Sequence, residues 1–568
     1  MRQFCLALLC CIGLAVAAAE NNRRLTVSTT IDYLDYVFYD REDGHDWYPV
    51  EVWETRLKEI ADCGIRKIYL RVNACGLTLW PSKVSAMYGQ DGRMHFEYPE
   101  QGRRLAKTLQ TYDCLAETIR IGHKYGMEVW CWHSVWDDGA YHKSAEDFPE
   151  EVAKYGSYPM ADTWYGKKQD HGWSRRDPRL DSSPSLAESD PAVRPVAKIV
   201  LVSEVPSNLP VKFTKENLRI YVSDRNGDYR PYEGDYRFKA GHTADNRQTV
   251  TFDGLCIRNR CVKLWHDTLD ERFGFILGEA VSRDCHIYDA DGNELAVTWG
   301  QTLEKEKRHD PVKDKMGFSH LFRFGWDWKN YQLGFIAGRA PDGTVGQWLV
   351  GVPEYTVPDV MEHKVDQFRE LAAYPFDGFV YNIRSHSTPL ANVPTNYGFN
   401  PEVREKFLKR YGVDIYTQDF DREALNEMRS EALDEFLKRC KALAGKRPLY
   451  MTVGKQPEAK NHAADWSYKM GARWHYDKWF KDGSVDGVTI MGVNYANEFD
   501  GKTVNGHPVH VAVFREMGFP PKGYDLMAEM EALERNERVD ELELYETLAL
   551  TAEKRKIIEA FHKGGEEK

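Results

Sequence analysis

The sequence predicts an α/β protein, a (β/α)8 (TIM) barrel with an inserted β-sandwich-like domain after the third strand. Three observations carry this. Short apolar runs alternate with helical stripes through most of the chain, the order expected of parallel strands joined by crossover helices. Eight such strand-then-helix units can be traced, which favours a closed barrel over an open sheet. Between the third and fourth units the alternation gives way to consecutive strand-like runs, from about residue 195 to 301. The expected division is 1–19 signal peptide, 20–194 barrel with strands one to three, 195–330 inserted β domain, and 331–568 barrel with strands four to eight.

The first strand is the β-branched run Leu25 to Ile31, ending in Asp32, Tyr33, Leu34 and Asp35. A polar loop is expected next. Val52, Trp53, Leu57, Ile60 and Ala61 then recur at helical spacing until Gly64, a helix stop. Ile65 to Val72 is strand two, with Asn73 at its end. A long loop rich in Gly, Pro and aromatics leads to a helix from Asp113 to Lys124 and to strand three, Met127 to Trp132. That strand opens into His133, Ser134, Trp136, Asp137 and Asp138.

In the insert, the Asp-Gly-Asn turn at 291–293 lies between two apolar runs, a hairpin signature. The barrel pattern resumes at Pro358. Met361, Val365, Phe368 and Leu371 line one helical face before strand four, Phe379 to Ile383. A helix starting at Asn400-Pro401 and a long stripe from Leu425 to Leu443 precede strand five, Pro448 to Val453. A helix containing Trp474 and Trp479 leads to strand six, Val488 to Val493. Strand seven is Val509 to Phe514, strand eight Leu542 to Leu544, and a last helix carries Ile557, Ile558 and Phe561.

Composition excludes some partners. Net charge is −12 with no long basic run, so nucleic acid is not an expected partner. Residues 1–19 read as a secretory signal, with Arg2, an apolar stretch from Phe4 to Val16 and small residues at Ala17 to Ala19. The run is too short to span a membrane, so the protein is expected to be exported, periplasmic or extracellular, with no membrane span. Three of the 11 cysteines fall in that segment. The rest show no CxxC or zinc-ligand spacing; Cys256 and Cys261 are the pair closest in sequence. No GxGxxG follows the first strand, which removes support for a dinucleotide fold. No cofactor and no metal are expected, and the sequence leaves the oligomeric state open.

In a parallel barrel the C-terminal strand ends form the reactive rim. Here they carry the carboxylates Asp32, Asp35, Asp137, Asp138, Glu498, Glu516 and Glu546. A glycosidic bond is usually cleaved by two carboxyl groups, one neutral and one ionised, and aromatic walls raise one pKa while stacking on sugar. The expected catalytic residues are Asp137, Glu498 and Glu546. The expected substrate-binding residues are Trp132, His133, Trp136, Asn382, Arg384, His386, Lys455, Asn494 and Tyr495. The cations among them, Arg384, His386 and Lys455, favour acidic or sulfated glycans. No GxSxG elbow or HExxH motif points to another hydrolase class.

The passage VGVPEYTVPDVMEHKVDQFRELAAY followed by FDGFVYNIRS, and the later YGFNPEVREKFLKRYGVDI, resemble the glycosyl-hydrolase-like family 10 proteins over about 25–194 and 330–560. The resemblance implies an exported (β/α)8 glycoside hydrolase acting on a polysaccharide, oligosaccharide or glycoconjugate. The family often carries an Asp two residues before the Arg of this strand; this chain has Asn382 before Arg384. An amide is neither nucleophile nor base. That departure implies either chemistry at other carboxylates or a catalytically silent glycan-binding or scaffold protein.

Overall fold

In the computed structural model eight parallel strands close into one barrel. They are β1 (Thr26–Ile31), β2 (Lys67–Arg71), β3 (Glu128–Ser134), β4 (Gly378–Asn382), β5 (Leu449–Val453), β6 (Gly487–Ile490), β7 (His510–Glu516) and β8 (Glu541–Tyr545). The structure describes residues 24–40, 45–74, 76–89, 99–134, 136, 173–175, 177–178, 191–206, 210–211, 213–224, 228–266, 286–295, 297–301, 310–313, 317–318, 332–337, 348–382, 397–454, 472–518 and 523–564. The signal-peptide reading of 1–19 lies outside them.

The register fixes the geometry of the barrel. From Ser134, hydrogen-bonded neighbours run through Asn382, Thr452, Thr489, Ala512, Glu541 and Thr26. Carried on through β2, the circuit re-enters β3 at Gly126, eight residues before its start. A shear of 8 with eight strands is the TIM-barrel solution. It sorts the inward residues into layers drawn from alternate strands. The rim layer holds Asp32, Ser134, Gly454 and Glu516. Next below come Arg71, Asn382, Met491 and Tyr545, then Thr30, Trp132, Thr452 and Phe514. Tyr69, Val380, Thr489 and Glu543 form the fourth layer.

Alternation along each strand explains why the strands read as continuous apolar runs: both faces are buried. Ile68, Leu70, Cys131, Phe379, Met451, Val513 and Leu542 face the helices. Tyr69, Trp130, Trp132, Val380, Tyr450, Phe514 and Tyr545 fill the interior as a separate cluster. Two inward glycines make room for its rings. A Cβ on Gly378 would lie 2.5 Å from the Trp130 ring, and one on Gly487 would lie 2.8 Å from Tyr450.

The N-terminal end is closed by charge. The Lys67 Nζ lies 2.7 Å from Glu541 and 3.8 Å from the Trp130 ring centroid. The Tyr69 hydroxyl donates to Glu541 at 2.8 Å, and His510 Nε2 lies 2.9 Å from the same carboxylate. These contacts hold the Glu541 carboxyl well below the usual carboxylate range although burial opposes it.

Helices pack outside. Directly after β1 comes α1 (Tyr33–Tyr39), with Asp32 as its N-cap accepting from the Leu34 amide. Then follow α2 (Val50–Asp62), α3 (Pro99–Thr111) and α4 (Cys114–Lys124). Asp113 caps α4 by accepting from the Leu115 and Ala116 amides. Gly126, at φ 71°, reverses the chain into β3. The later helices are α5 (Pro358–Ala372), α6 (Pro401–Tyr411), α7 (Arg422–Ala444), α8 (Tyr476–Asp482), α9 (Leu526–Glu534) and α10 (Ala552–Gly564).

Several local expectations change. The segment after Asp32 is a helix rather than a loop, because Tyr33, Leu34, Tyr36, Val37 and Phe38 are all buried. The Gly- and Pro-rich stretch contains α3. Trp474 precedes α8 instead of belonging to it, and β6 stops at Ile490 with a 3-10 helix, Val493–Phe499, beyond it. Cys256 and Cys261 form no disulfide with each other.

Between β3 and β4 the described strands form two antiparallel sheets, of four and six strands, and a two-stranded antiparallel ladder of Trp173–Arg175 with Trp348–Pro353. Val196, Ile199, Leu201, Val250 and Phe252 from one meet Leu218, Ile220, Val262, Leu264 and Phe335 from the other in a common apolar cluster. Two sheets sharing one core is sandwich packing.

Candidate active site

The C-terminal rim gathers carboxyl groups from the two ends of the chain. Asp32 ends β1, Asp35 lies in the first turn of α1, and Glu546 follows β8, after a cis Tyr545–Glu546 peptide. One carboxylate oxygen from each lies within 4.8 Å of the others. β1 and β8 are neighbours, with Thr30 paired to Tyr545, so barrel closure makes this meeting.

The three are not equivalent. Asp32 is buried and ion-paired with the buried Arg71 guanidinium, which also donates to the Asn73 carbonyl at 3.0 Å. Asp35 and Glu546 face one another, close enough to interact directly. Burial, with Asp32 and Glu546 nearby, holds the Asp35 carboxyl well above its ordinary value. Burial raises Glu546 as well; Asp32 and Glu516 add to this, while the bond to Asp35 and the Arg71 charge oppose it. A like charge in close contact raises the pKa of one member of such a pair. Glu516 enters from the next strand, its backbone paired with Tyr545.

Beneath the carboxyls lies an aromatic layer. Trp132 stacks on Tyr545 with ring centroids 6.4 Å apart, and Phe514 packs on Tyr545 at 5.3 Å. The Arg71 guanidinium lies 5.8 Å from the Trp132 ring centroid. The Trp132 indole N–H is buried without a hydrogen-bond partner. Asn382 is fully buried in the layer of Arg71, and its amide donates to Thr452 Oγ1 at 3.1 Å. Asn73 and Ser134 clamp the ends of β2 and β3 through bonds of 3.0 and 2.9 Å.

The structure brings together Trp132, Asn382 and Glu546 of the expected residues, and adds Asp35 and Arg71. His133 falls on the other face of β3. It packs against Tyr381 at 5.6 Å, beside Lys364 and His363 of α5. Burial, with those two neighbours, lowers its pKa well below the ordinary value. It does not line the interior, because Trp132 does and successive side chains alternate. Trp136 is also core, edge-on to Tyr355 and beside Trp474. Asn494 and Glu498 are exposed on the 3-10 helix after β6, with Tyr495 half-buried between them. Asp137, Arg384, His386 and Lys455 lie outside the described residues.

Three carboxylates this close are a set that could hold a divalent cation. Within that set Arg71 already neutralises Asp32.

No family model matches the chain, and no curated protein matches it in sequence. Among solved structures it overlaps the catalytic domain of beta-amylase from Paenibacillus polymyxa at 8% identity and a TM-score of 0.36, covering 94% of this chain and 95% of that one. It overlaps the exo beta-N-acetylglucosaminidase from Vibrio harveyi at 8% identity and 0.32, covering 95% and 54%. A trehalulose synthase mutant gives 10% and 0.28, covering 86% and 56%. Overlaps this loose carry no argument about chemistry; the fold rests on the barrel's own topology.

Proposed function

We propose that this protein is a glycoside hydrolase whose proton donor is the Asp35–Glu546 pair. One observation carries the reading. Two carboxyls with oxygens within 4.8 Å of each other, both held above their ordinary range by burial, are placed to share a proton at the rim. The pair delivers that proton to the leaving oxygen. Its members are closer than the roughly 5–9.5 Å that separates acid from nucleophile or base across a sugar, so the pair acts as one group. Glu516, the next rim carboxylate, takes the second role, and the Arg71-neutralised Asp32 tunes the pair. The buried Trp132, Phe514 and Tyr545 rings keep water from beneath the reacting centre. The family-10-like motifs, and export read from 1–19, belong to the same proposal, with a polysaccharide or oligosaccharide as substrate.

The test is a glycan panel scored for both binding and reducing-end release. Asp35→Asn and Glu546→Gln are each expected to lower kcat/KM by about 10²- to 10⁴-fold, with Glu498→Gln near wild type. Binding without release by the wild-type protein would overturn hydrolysis in favour of a silent glycan-binding protein. Full activity of either pair variant would overturn the assigned donor.

A further inference from the structure

Just ahead of α8 the chain runs along α7 as a strap, 472–476, and polar groups stitch it down. The Arg473 amide donates to Ser430 Oγ at 2.6 Å, and the Arg473 guanidinium pairs with Glu423. His475 lies across two carboxylates of α7, with Nδ1 2.8 Å from Asp434 and Nε2 3.2 Å from Glu427. Those two stand seven residues apart, two turns along one helix face. Asp434 is buried and also receives Lys478 Nζ and the Trp479 indole N–H, each at 2.6 Å.

These contacts define the state of the ring. A carboxylate offers only acceptors, and a neutral imidazole carries one N–H. A ring with a carboxylate oxygen against each nitrogen donates twice, so His475 is an imidazolium. Its hydrogen bond to Asp434 raises its pKa above the ordinary value against partial burial, and the Asp434 and Glu427 charges add to the rise. Among the described residues the charged groups facing it are Asp434 and Glu427 from α7 and Lys478 from α8.

We propose that His475 is a pH-operated clasp: charged, it ties the strap to both carboxylates of α7, and neutral, it releases Glu427 so that the strap opens. Loss of one proton turns a ring lone pair toward the Glu427 carboxylate at 3.2 Å, an acceptor facing an acceptor. Lys478 and Trp479 keep Asp434 in place meanwhile, so the release is local. The strap reaches the barrel mouth. Trp474 stands 6.2 Å from Trp136, just beyond β3. The Tyr476 hydroxyl donates at 3.0 Å to the carbonyl of Gly454, in the rim layer at the end of β5. Acid therefore firms this side of the rim and base loosens it, whichever rim carboxyls act on substrate.

The folded state favours the charged ring. The clasp is fully closed below the ordinary imidazole value of about 6.5 and opens as pH rises through the folded midpoint. NMR titration of 13C-histidine-labelled protein, with the His475 signal assigned by its loss in His475→Gln, is expected to give a midpoint above 6.5 in wild type and a lower one in Glu427→Gln. Hydrogen exchange of the 473–479 amides, corrected for intrinsic rate, is expected to rise about two- to fivefold between pH 6 and 8, with no such step in α2. In Glu427→Gln the step is expected to vanish, because an amide can accept from the charged ring or donate to the neutral one. A His475 midpoint at or below 6.5 overturns the proposal, as does strap exchange that is flat in wild type or keeps its step in Glu427→Gln. The exchange measurement needs no assignment, so it decides the matter even where His475→Gln does not fold.

Discussion

Lys67→Met isolates the charge that closes the lower end of the barrel. Methionine keeps most of the stem packing and removes the ammonium, which sits 3.8, 4.7 and 4.9 Å from the Trp130, Tyr69 and Tyr450 ring centroids. Glu541 then remains in the barrel with only the Tyr69 hydroxyl and His510. Breaking a buried pair by removing one partner costs about 3–5 kcal/mol, and a desolvated cation–π contact adds up to about 2. Protonation of Glu541 relieves part of this, so about 3–5 kcal/mol at pH 7 is the expected total. Urea unfolding followed by near-UV circular dichroism measures it. In the wild type the depressed Glu541 carboxyl contributes stability that is present above the ordinary carboxylate range and lost as pH falls. In Lys67→Met the sign reverses: the folded state binds the proton more tightly, so stability returns as pH is lowered toward 4. Lys67→Met/Glu541→Gln removes both charges and is expected to cost at least about 2 kcal/mol less than the two single losses added. A single-variant loss below about 1 kcal/mol at pH 7, or strict additivity, refutes the reasoning.

Glu543→Gln carries a stability prediction of its own. Its folded carboxyl sits at about 7 against an ordinary value near 4.3, a difference of roughly 3 kcal/mol or somewhat more at 1.36 kcal/mol per unit. That stability is fully present below the unfolded value and lost as pH rises through 7, so wild type minus Glu543→Gln falls by about that amount between pH 4 and 8; a flat difference in the same urea assay refutes it. Gly378→Ala drives a Cβ into the Trp130 ring at 2.5 Å and is expected to lose about 1–3 kcal/mol, measured as a fall in Tm. An unchanged Tm would mean that the ring yields. Arg71→Met removes the cation that lowers both Asp35 and Glu546, so the Asp35 midpoint in an infrared titration of 13C-aspartate-labelled protein is expected to move to higher pH. A downward move refutes the assigned role of Arg71.

By itself the sequence determined the eight parallel strands, their order and the all-β stretch after the third, because apolar runs and helical stripes are local patterns and eight units close only one way. It also pointed to Trp132, Asn382 and Glu546, which sit where strands turn polar. Which face of a strand a residue takes was not legible at β3. Both faces there are apolar, so nothing in Trp-Cys-Trp-His-Ser marks Trp132 as inward and His133 as outward; packing decided it. The Glu-Leu-Glu-Leu-Tyr run of β8 did hold a period-2 signal for Glu541 and Glu543. The pairing of Asp35 with Glu546 left no local trace at all. Those residues stand at opposite ends of the chain, and only closure of β1 against β8 brings their carboxyl oxygens within 4.8 Å of each other.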